Sequence, residues 1–142
     1  MSVGELKLNI RHAQENIENK SYQIKMWNER IERYNQKLKE LAYKQETVKN
    51  FYISKRNKIN DAVPFAKGRA IESAILIYDD LYDYSKQNQL VQELEGMIYF
   101  VRENIKHIED KIYEAQRDVG LLERNIKNWK KDIKKLDKGE GH

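Results

Sequence analysis

The sequence predicts an all-α protein, a long antiparallel helical hairpin that packs as a coiled coil does. Two heptad runs support this prediction, and the chain's only proline, Pro64, lies between them. An apolar stripe with a period of about 3.5 residues is typical of a helix packed along its length against another helix. The first seam consists of Leu6, Ile10, Ala13, Ile17, Lys20, Ile24, Trp27, Ile31, Tyr34, Leu38, Leu41, Gln45, Val48, Tyr52, Lys55 and Ile59. The second seam consists of Val91, Leu94, Ile98, Val101, Ile105, Ile108, Ile112, Ala115, Val119, Leu122, Ile126, Trp129, Ile133 and Leu136.

The first predicted helix covers residues 5–59. Ser2 and Glu5 have the spacing of a capping box, directly before the first seam residue. No glycine or proline interrupts the segment that follows. The exposed positions hold Glu, Lys, Arg, Gln and Asn, which are mostly good helix formers. These features predict one continuous helix.

The turn is predicted at residues 60–68. Pro64 has no amide donor and disfavours helical dihedrals at the residue before it. We expect a second helix over residues 66–137, a disordered tail at 138–142, and one domain from 1 to 142. A short connection makes the two helices antiparallel. With the turn centred near residue 62, Tyr34 is expected near the level of Leu90, and residues from about 121 onward overhang the first helix.

The second predicted helix is expected to be kinked or broken near residues 82–89. Ser85 and Asn88 occupy positions where the heptad pattern calls for apolar residues. Loss of register of this kind marks a kink, a stammer or a short break. Gly96 and Gly120, further along, are either tolerated weak points or places where another helix approaches closely.

Three polar residues interrupt the first seam. Lys20 and Lys55 are expected to extend their aliphatic stems along the seam and place their charges outward. For Gln45 two interpretations stay open, an outward-pointing side chain or a polar seam residue that sets the register.

Composition excludes several functional classes. The formal net charge of +4 comes from 27 basic and 23 acidic residues, so the surface is mixed and specific nucleic-acid binding is not expected. Without cysteine there is no disulfide or thiolate chemistry. No stretch has the roughly 20 apolar residues of a membrane span. The N-terminus lacks a secretory signal, which predicts a cytoplasmic protein or one exported with its partner by a signal-independent route.

No catalytic, cofactor-binding or metal-binding residues are predicted. His12, His107 and His142 lack metal-ligand spacing with one another, and the chain has no cysteine to complete a set. No nucleophile elbow, P-loop or dinucleotide fingerprint is present. We therefore expect no enzymatic activity and no cofactor.

The segments around the turn contain more apolar residues than one seam can bury. Consecutive apolar residues cover more than one helix face, so a single partner helix cannot cover them all. Either a local third helix or another chain covers this surface, and the second interpretation is favoured. The predicted partner-binding residues here are Phe51, Ile75, Ile77, Tyr82 and Phe100.

The segment from Arg124 to Lys138 is a basic amphipathic helix. If it overhangs, Trp129 has no intramolecular cover and a partner helix is expected to bury it, with Lys130 and Lys134 meeting acidic groups at the rim. The alternative is a cationic helix C-terminus that complements its own dipole.

The architecture resembles the WXG-type proteins of type VII (ESX) secretion, and most closely the helical accessory proteins that accompany LXG toxins. Where that family carries Trp-x-Gly in its turn, this chain has Phe65-Ala66-Lys67-Gly68, with one residue more and Phe in place of Trp. The family's export motif, Tyr-x-x-x-Asp/Glu, is matched from Tyr99 to Glu103. The resemblance adds Phe65, Gly68 and Tyr99 to the expected partner-binding residues.

The resemblance implies a non-enzymatic accessory or targeting partner, with a chaperone-like role, for a type VII secreted LXG-type toxin. The expected partner is the toxin's N-terminal helical domain, a sister accessory protein, or both. The alternative is a structural coiled-coil homodimer, or an adaptor that acts through its basic C-terminal helix. Membrane binding is not expected.

Overall fold

The computed structural model describes residues 1–140, apart from the side chain of Glu140, and every regular element in that range is helical. Helix α1 covers Val3–Ala62 and is followed by one turn of 3₁₀ helix at Val63–Phe65. Helix α2 covers Arg69–Leu81, and helix α3 covers Tyr84–Glu140. The all-α helical hairpin is therefore confirmed.

The start of α1 is the predicted capping box. The Glu5 amide donates to Ser2 Oγ at 3.1 Å, and the Ser2 amide donates to Glu5 Oε2 at 3.2 Å. These reciprocal bonds satisfy two of the amides that the first turn of a helix leaves without a partner. The helix accordingly begins at Val3, two residues before the predicted position.

The first interruption of the chain lies within the predicted turn. Pro64 occupies the 3₁₀ turn, where its missing amide costs no hydrogen bond. Gly68 has φ 91°, a conformation that residues with a Cβ rarely adopt, and it immediately precedes α2. A backbone requirement therefore explains Gly68.

The second interruption is the break predicted near residues 82–89, and it is confined to Tyr82 and Asp83. The Ser85 hydroxyl donates to Asp83 Oδ2 at 2.8 Å, and the Lys86 and Gln87 amides donate to the Asp83 carbonyl. Hydrogen bonds from Ser85 hold the pKa of the Asp83 carboxyl below its ordinary value. Asp83 therefore caps α3, and residues 84–89, which the sequence placed in the break, are helical.

The chain divides into two compact units. Unit 1 comprises Met1–Arg33 and Ile105–His142, and unit 2 comprises Tyr34–Asn104. In both units the seams lie inside: every residue of the first seam is buried or half-buried, as is every residue of the second seam except Leu136, which is 38% exposed. Most polar residues at the other heptad positions are exposed, as the heptad pattern predicts.

Contacts within each unit give the antiparallel register. In unit 1, Lys20 Nζ lies 3.3 Å from Asp118 Oδ2. In unit 2, Gln45 Nε2 donates to the Val91 carbonyl at 3.2 Å. Counting back from Gln45 and forward from Val91 puts Tyr34 near the level of Arg102, so its expected level near Leu90 was wrong.

The expected overhang of residues from about 121 onward was also wrong. Leu6 is only 3% exposed and lines the same cavity as Trp129, and Ile126 is buried in the same unit. The reason is the length of the connection. The chain forms the separate helix α2 before it returns as α3, so α3 meets α1 at a later register.

The tail expected to be disordered is helical through Glu140, and residues 141–142 lie outside the described part.

The polar seam residues have specific partners. The Lys20 ammonium reaches Asp118 on the facing helix, and because the Asp118 side chain is about half exposed, the charge lies at the solvent edge of the seam. Gln45 is the polar seam residue of the second interpretation, since it donates to a backbone carbonyl across the seam. A Cβ added at Gly96 or Gly120 would meet no atom within 4 Å, so no chain segment in the described residues approaches either glycine closely.

Candidate docking surface of unit 2

Helix α2 is amphipathic, yet none of its residues is buried. One apolar face, formed by Ile71, Ile75 and Tyr78, lies along α1 in unit 2. The steps of three and four residues within this face are those of a coiled-coil seam. A second set of residues with the same spacing, the outer face of α2, is exposed. This outer face consists of Ala70, Ala74, Ile77 and Leu81.

The predicted partner-binding residues of unit 2 differ in exposure. Phe65 is 78% exposed, Phe100 66% and Ile77 61%. Large apolar side chains with this exposure in one unit are what a docking surface presents to another chain. Tyr99 and Phe51 are also exposed, Gly68 lies at the surface of the turn, and Ile75 and Tyr82 are half-buried.

The structure brings two of the predicted residues together in an aromatic cluster. The ring centroids of Phe51 and Tyr82 are 5.7 Å apart, and Tyr82 also packs edge-on against Tyr52. The Lys55 ammonium lies over the Phe51 and Tyr82 rings, at 5.6 and 5.7 Å from their centroids. Arg56 Nη1 donates to the Tyr82 carbonyl at 3.1 Å. This cluster joins the end of α2 to α1.

A groove of about 560 Å³ runs between α1 and α2. Ile59 at its floor is buried, whereas the alanines along its sides leave room for an entering side chain. It contains no carboxylate, and its only charged lining residues are Lys55 and Lys58. The groove is lined by Lys55, Lys58, Ile59, Ala62, Ala70, Ile71, Ala74, Ile75 and Tyr78.

Phe100 belongs to a different part of unit 2. It lines a separate groove of about 470 Å³ between α1 and α3, together with Lys37, Leu41, Met97 and other residues. Of the predicted residues of unit 2, only Ile75 and Phe100 line these two grooves, one in each. The predicted partner-binding residues did not include Ala70, Ala74 and Leu81, although their heptad spacing with Ile77 was visible in the sequence.

The basic end of the chain lies in unit 1, where Trp129 is half-buried rather than uncovered. It shares a cavity of about 410 Å³ with Leu6 and Leu136. Lys130 and Lys134 are exposed. The prediction that Trp129 lacks intramolecular cover was therefore wrong, because the register places the start of α1 beside it.

Among residues 1–140, no three His, Asp or Glu side chains are grouped so that they could hold a metal ion. No helix in this range has an apolar stretch of the length and hydropathy that crossing a membrane requires. Comparisons with protein-family models, with curated proteins and with solved structures each return no match.

The chemistry that unit 2 offers is therefore association. Two apolar grooves and an exposed heptad face supply hydrophobic area, and basic side chains line the groove beside α2. Apolar area in a concave setting with charged edges is the usual basis for recognition of an amphipathic helix.

Proposed function

We propose that this protein is a non-enzymatic binding protein that docks helices of another protein on unit 2. Its role is that of an accessory or targeting partner, chaperone-like in action, for a type VII secreted LXG-type toxin. The partner is the helical N-terminal domain of the toxin, with or without a sister accessory protein.

The observation that supports docking is the state of α2. This helix has five large apolar residues that are at least half exposed, and it buries no residue at all. The five are Ile71, Leu76, Ile77, Tyr78 and Leu81. A short helix in a protein gains most of its stability from packing its apolar face against a neighbour. An uncovered apolar face therefore favours binding of a second chain.

The toxin-accessory role is supported by the resemblance to type VII secretion proteins. In that family a Trp-x-Gly turn separates the helices, and here Phe65 and Gly68 lie between α1 and α2. Phe65 is exposed, as a residue that contacts a partner would be, and Gly68 provides the positive φ that the turn needs.

The test is light scattering coupled to size-exclusion chromatography. The protein is mixed with the purified N-terminal helical domain of an LXG toxin encoded beside its gene. We expect a stable complex with wild type and none with the double variant Ile77→Glu, Phe100→Glu, whose helicity by circular dichroism should be unchanged because both residues are exposed.

The matched control is Tyr22→Glu, Tyr113→Glu, which alters two side chains of similar exposure in unit 1 and should leave the complex intact. Absence of a complex with wild type would refute the toxin-partner role. If wild type alone were dimeric and Ile77→Glu, Phe100→Glu made it monomeric, the structural homodimer would be the correct alternative.

A further inference from the structure

We propose that the groove between α1 and α2 selects an amphipathic helix whose flanks are acidic, carried by a different protein. This inference builds on the proposed function, since it names the chemistry of the partner element that docks on unit 2. It follows from the shape of the groove, from the heptad spacing of its edge, and from the charges around it.

The shape and spacing favour a helix. The outer face of α2 repeats in steps of three and four residues, which matches the knobs-into-holes packing of one helix against another. Ala62, Ala70 and Ala74 line the groove with small side chains, so a helix can approach without displacing large residues. Ile71 and Ile75 provide apolar area for its apolar stripe.

The charges favour acidic flanks. Among residues 1–140, the charged residues that line the groove are Lys55 and Lys58, and no carboxylate lines it. Neither lysine forms a salt bridge within these residues. Unpaired charges at the rim of an apolar site steer a partner of opposite charge and disfavour one of like charge.

The same charges argue against a second copy of this chain as the occupant. A two-fold interface brings the same surface patch of both copies together. Docking through this groove would therefore place Lys55 and Lys58 near the same two lysines of the other copy. A different protein with acidic flanks avoids this repulsion.

The test uses two labelled helical peptides of about three heptads with the same Ile and Leu stripe. One peptide has Glu at the flanking positions and the other has Lys. Fluorescence anisotropy at low salt should show the full-length protein binding the Glu peptide about tenfold more tightly than the Lys peptide, with a difference that decreases as salt is added.

Two variants locate the effect. Lys55→Glu, Lys58→Glu should reverse the preference, because both side chains line the groove. The matched control Lys130→Glu, Lys134→Glu makes the same change in net charge in unit 1 and should keep the wild-type preference. Ala74→Trp fills the groove at an exposed position and should abolish binding of both peptides without lowering the melting temperature.

The remaining outcomes distinguish this inference from the proposed function. If wild type bound both peptides equally and Ala74→Trp bound neither, the groove would still be a helix-docking site, but the preference for acidic flanks would be refuted. Binding of neither peptide, with the toxin complex still formed, would refute the groove as the site. If Lys130→Glu, Lys134→Glu reversed the preference between the peptides, the preference would come from the electrostatic field of the whole protein and not from the groove. Two further results would overturn the proposal. A wild-type dimer that dissociates in Ala74→Trp would assign the groove to a second copy. Binding to anionic vesicles that is lost in Lys55→Glu, Lys58→Glu would assign it to a membrane surface.

Discussion

Units 1 and 2 are equal in length but bury their apolar residues to different extents. Within the described part of the chain, seven of the ten buried apolar residues belong to unit 1, whereas fifteen of the 22 exposed large apolar residues belong to unit 2. In unit 1 the apolar residues are largely confined to the seams of two facing helices. In unit 2 they extend over further faces of α1, α2 and α3. Unit 1 thus has the residue pattern of a self-sufficient helix pair, and unit 2 has that of an interface.

The difference follows from how many faces each helix makes apolar. A heptad stripe is covered by one neighbouring helix, so a helix whose other positions are polar forms a stable pair with that neighbour. Helix α2 has two apolar faces, yet none of its residues is buried. Burial of its outer face by another protein would therefore add stability.

The largest expected effect comes from exchanging one isoleucine in each unit for alanine. Ile108→Ala removes a side chain that is 7% exposed and should lower the free energy of unfolding by about 2–4 kcal/mol. Ile77→Ala, in the outer face of α2, should change it by less than about 0.5 kcal/mol. Urea denaturation of both variants measures the difference. Similar losses would mean that α2 is packed within the protein and that the comparison is wrong.

A smaller effect on stability is expected at Trp129, and its size tests the register of unit 1. Trp129 is half-buried beside Leu6, so Trp129→Ala should lower the free energy of unfolding by about 2 kcal/mol. Its affinity for a helical partner should be unchanged, because the side chain is used inside unit 1. Leu136→Ala, at a more exposed position of the same cavity, is the control and should cost less. If Trp129→Ala lost affinity for the partner while its free energy of unfolding stayed the same, the register would be wrong and the predicted overhang would be present.

The sequence predicted the seams well and the register poorly, for a physical reason. Burial at Leu6, Leu41 and Ile112 follows from local periodicity, which any facing helix satisfies. The level at which α3 meets α1 depends on how much chain the connection uses. Ser85 indicated the break, but residues 69–81 satisfy the helical pattern equally well as part of α3 or as a separate helix.

The candidate site was predictable in part. Consecutive apolar residues around Ile75 and Ile77 marked a surface that one seam cannot cover, and Ile77 is exposed as that pattern indicates. The groove could not be derived, because its walls come from segments on both sides of Gly68 whose packing depends on the backbone angles of the turn. The same holds for the contact of Phe51 with Tyr82.

The smallest expected effect concerns the junction of α2 and α3, which has no counterpart in unit 1. Asp83 accepts hydrogen bonds from Ser85, and these lower the pKa of its carboxyl below the ordinary value of 3.8. A group whose pKa is lower in the folded protein contributes stability that is complete above its unfolded pKa and is lost as the pH falls through the folded pKa.

Asp83→Asn should therefore lower the melting temperature slightly at pH 7, and the difference from wild type should disappear in strongly acidic solution. Asp132→Asn, on the uninterrupted part of α3, is the control and should show no such convergence. If the difference between Asp83→Asn and wild type were the same at both pH values, the carboxylate would not be stabilising the start of α3, and the junction would be held by its backbone hydrogen bonds alone.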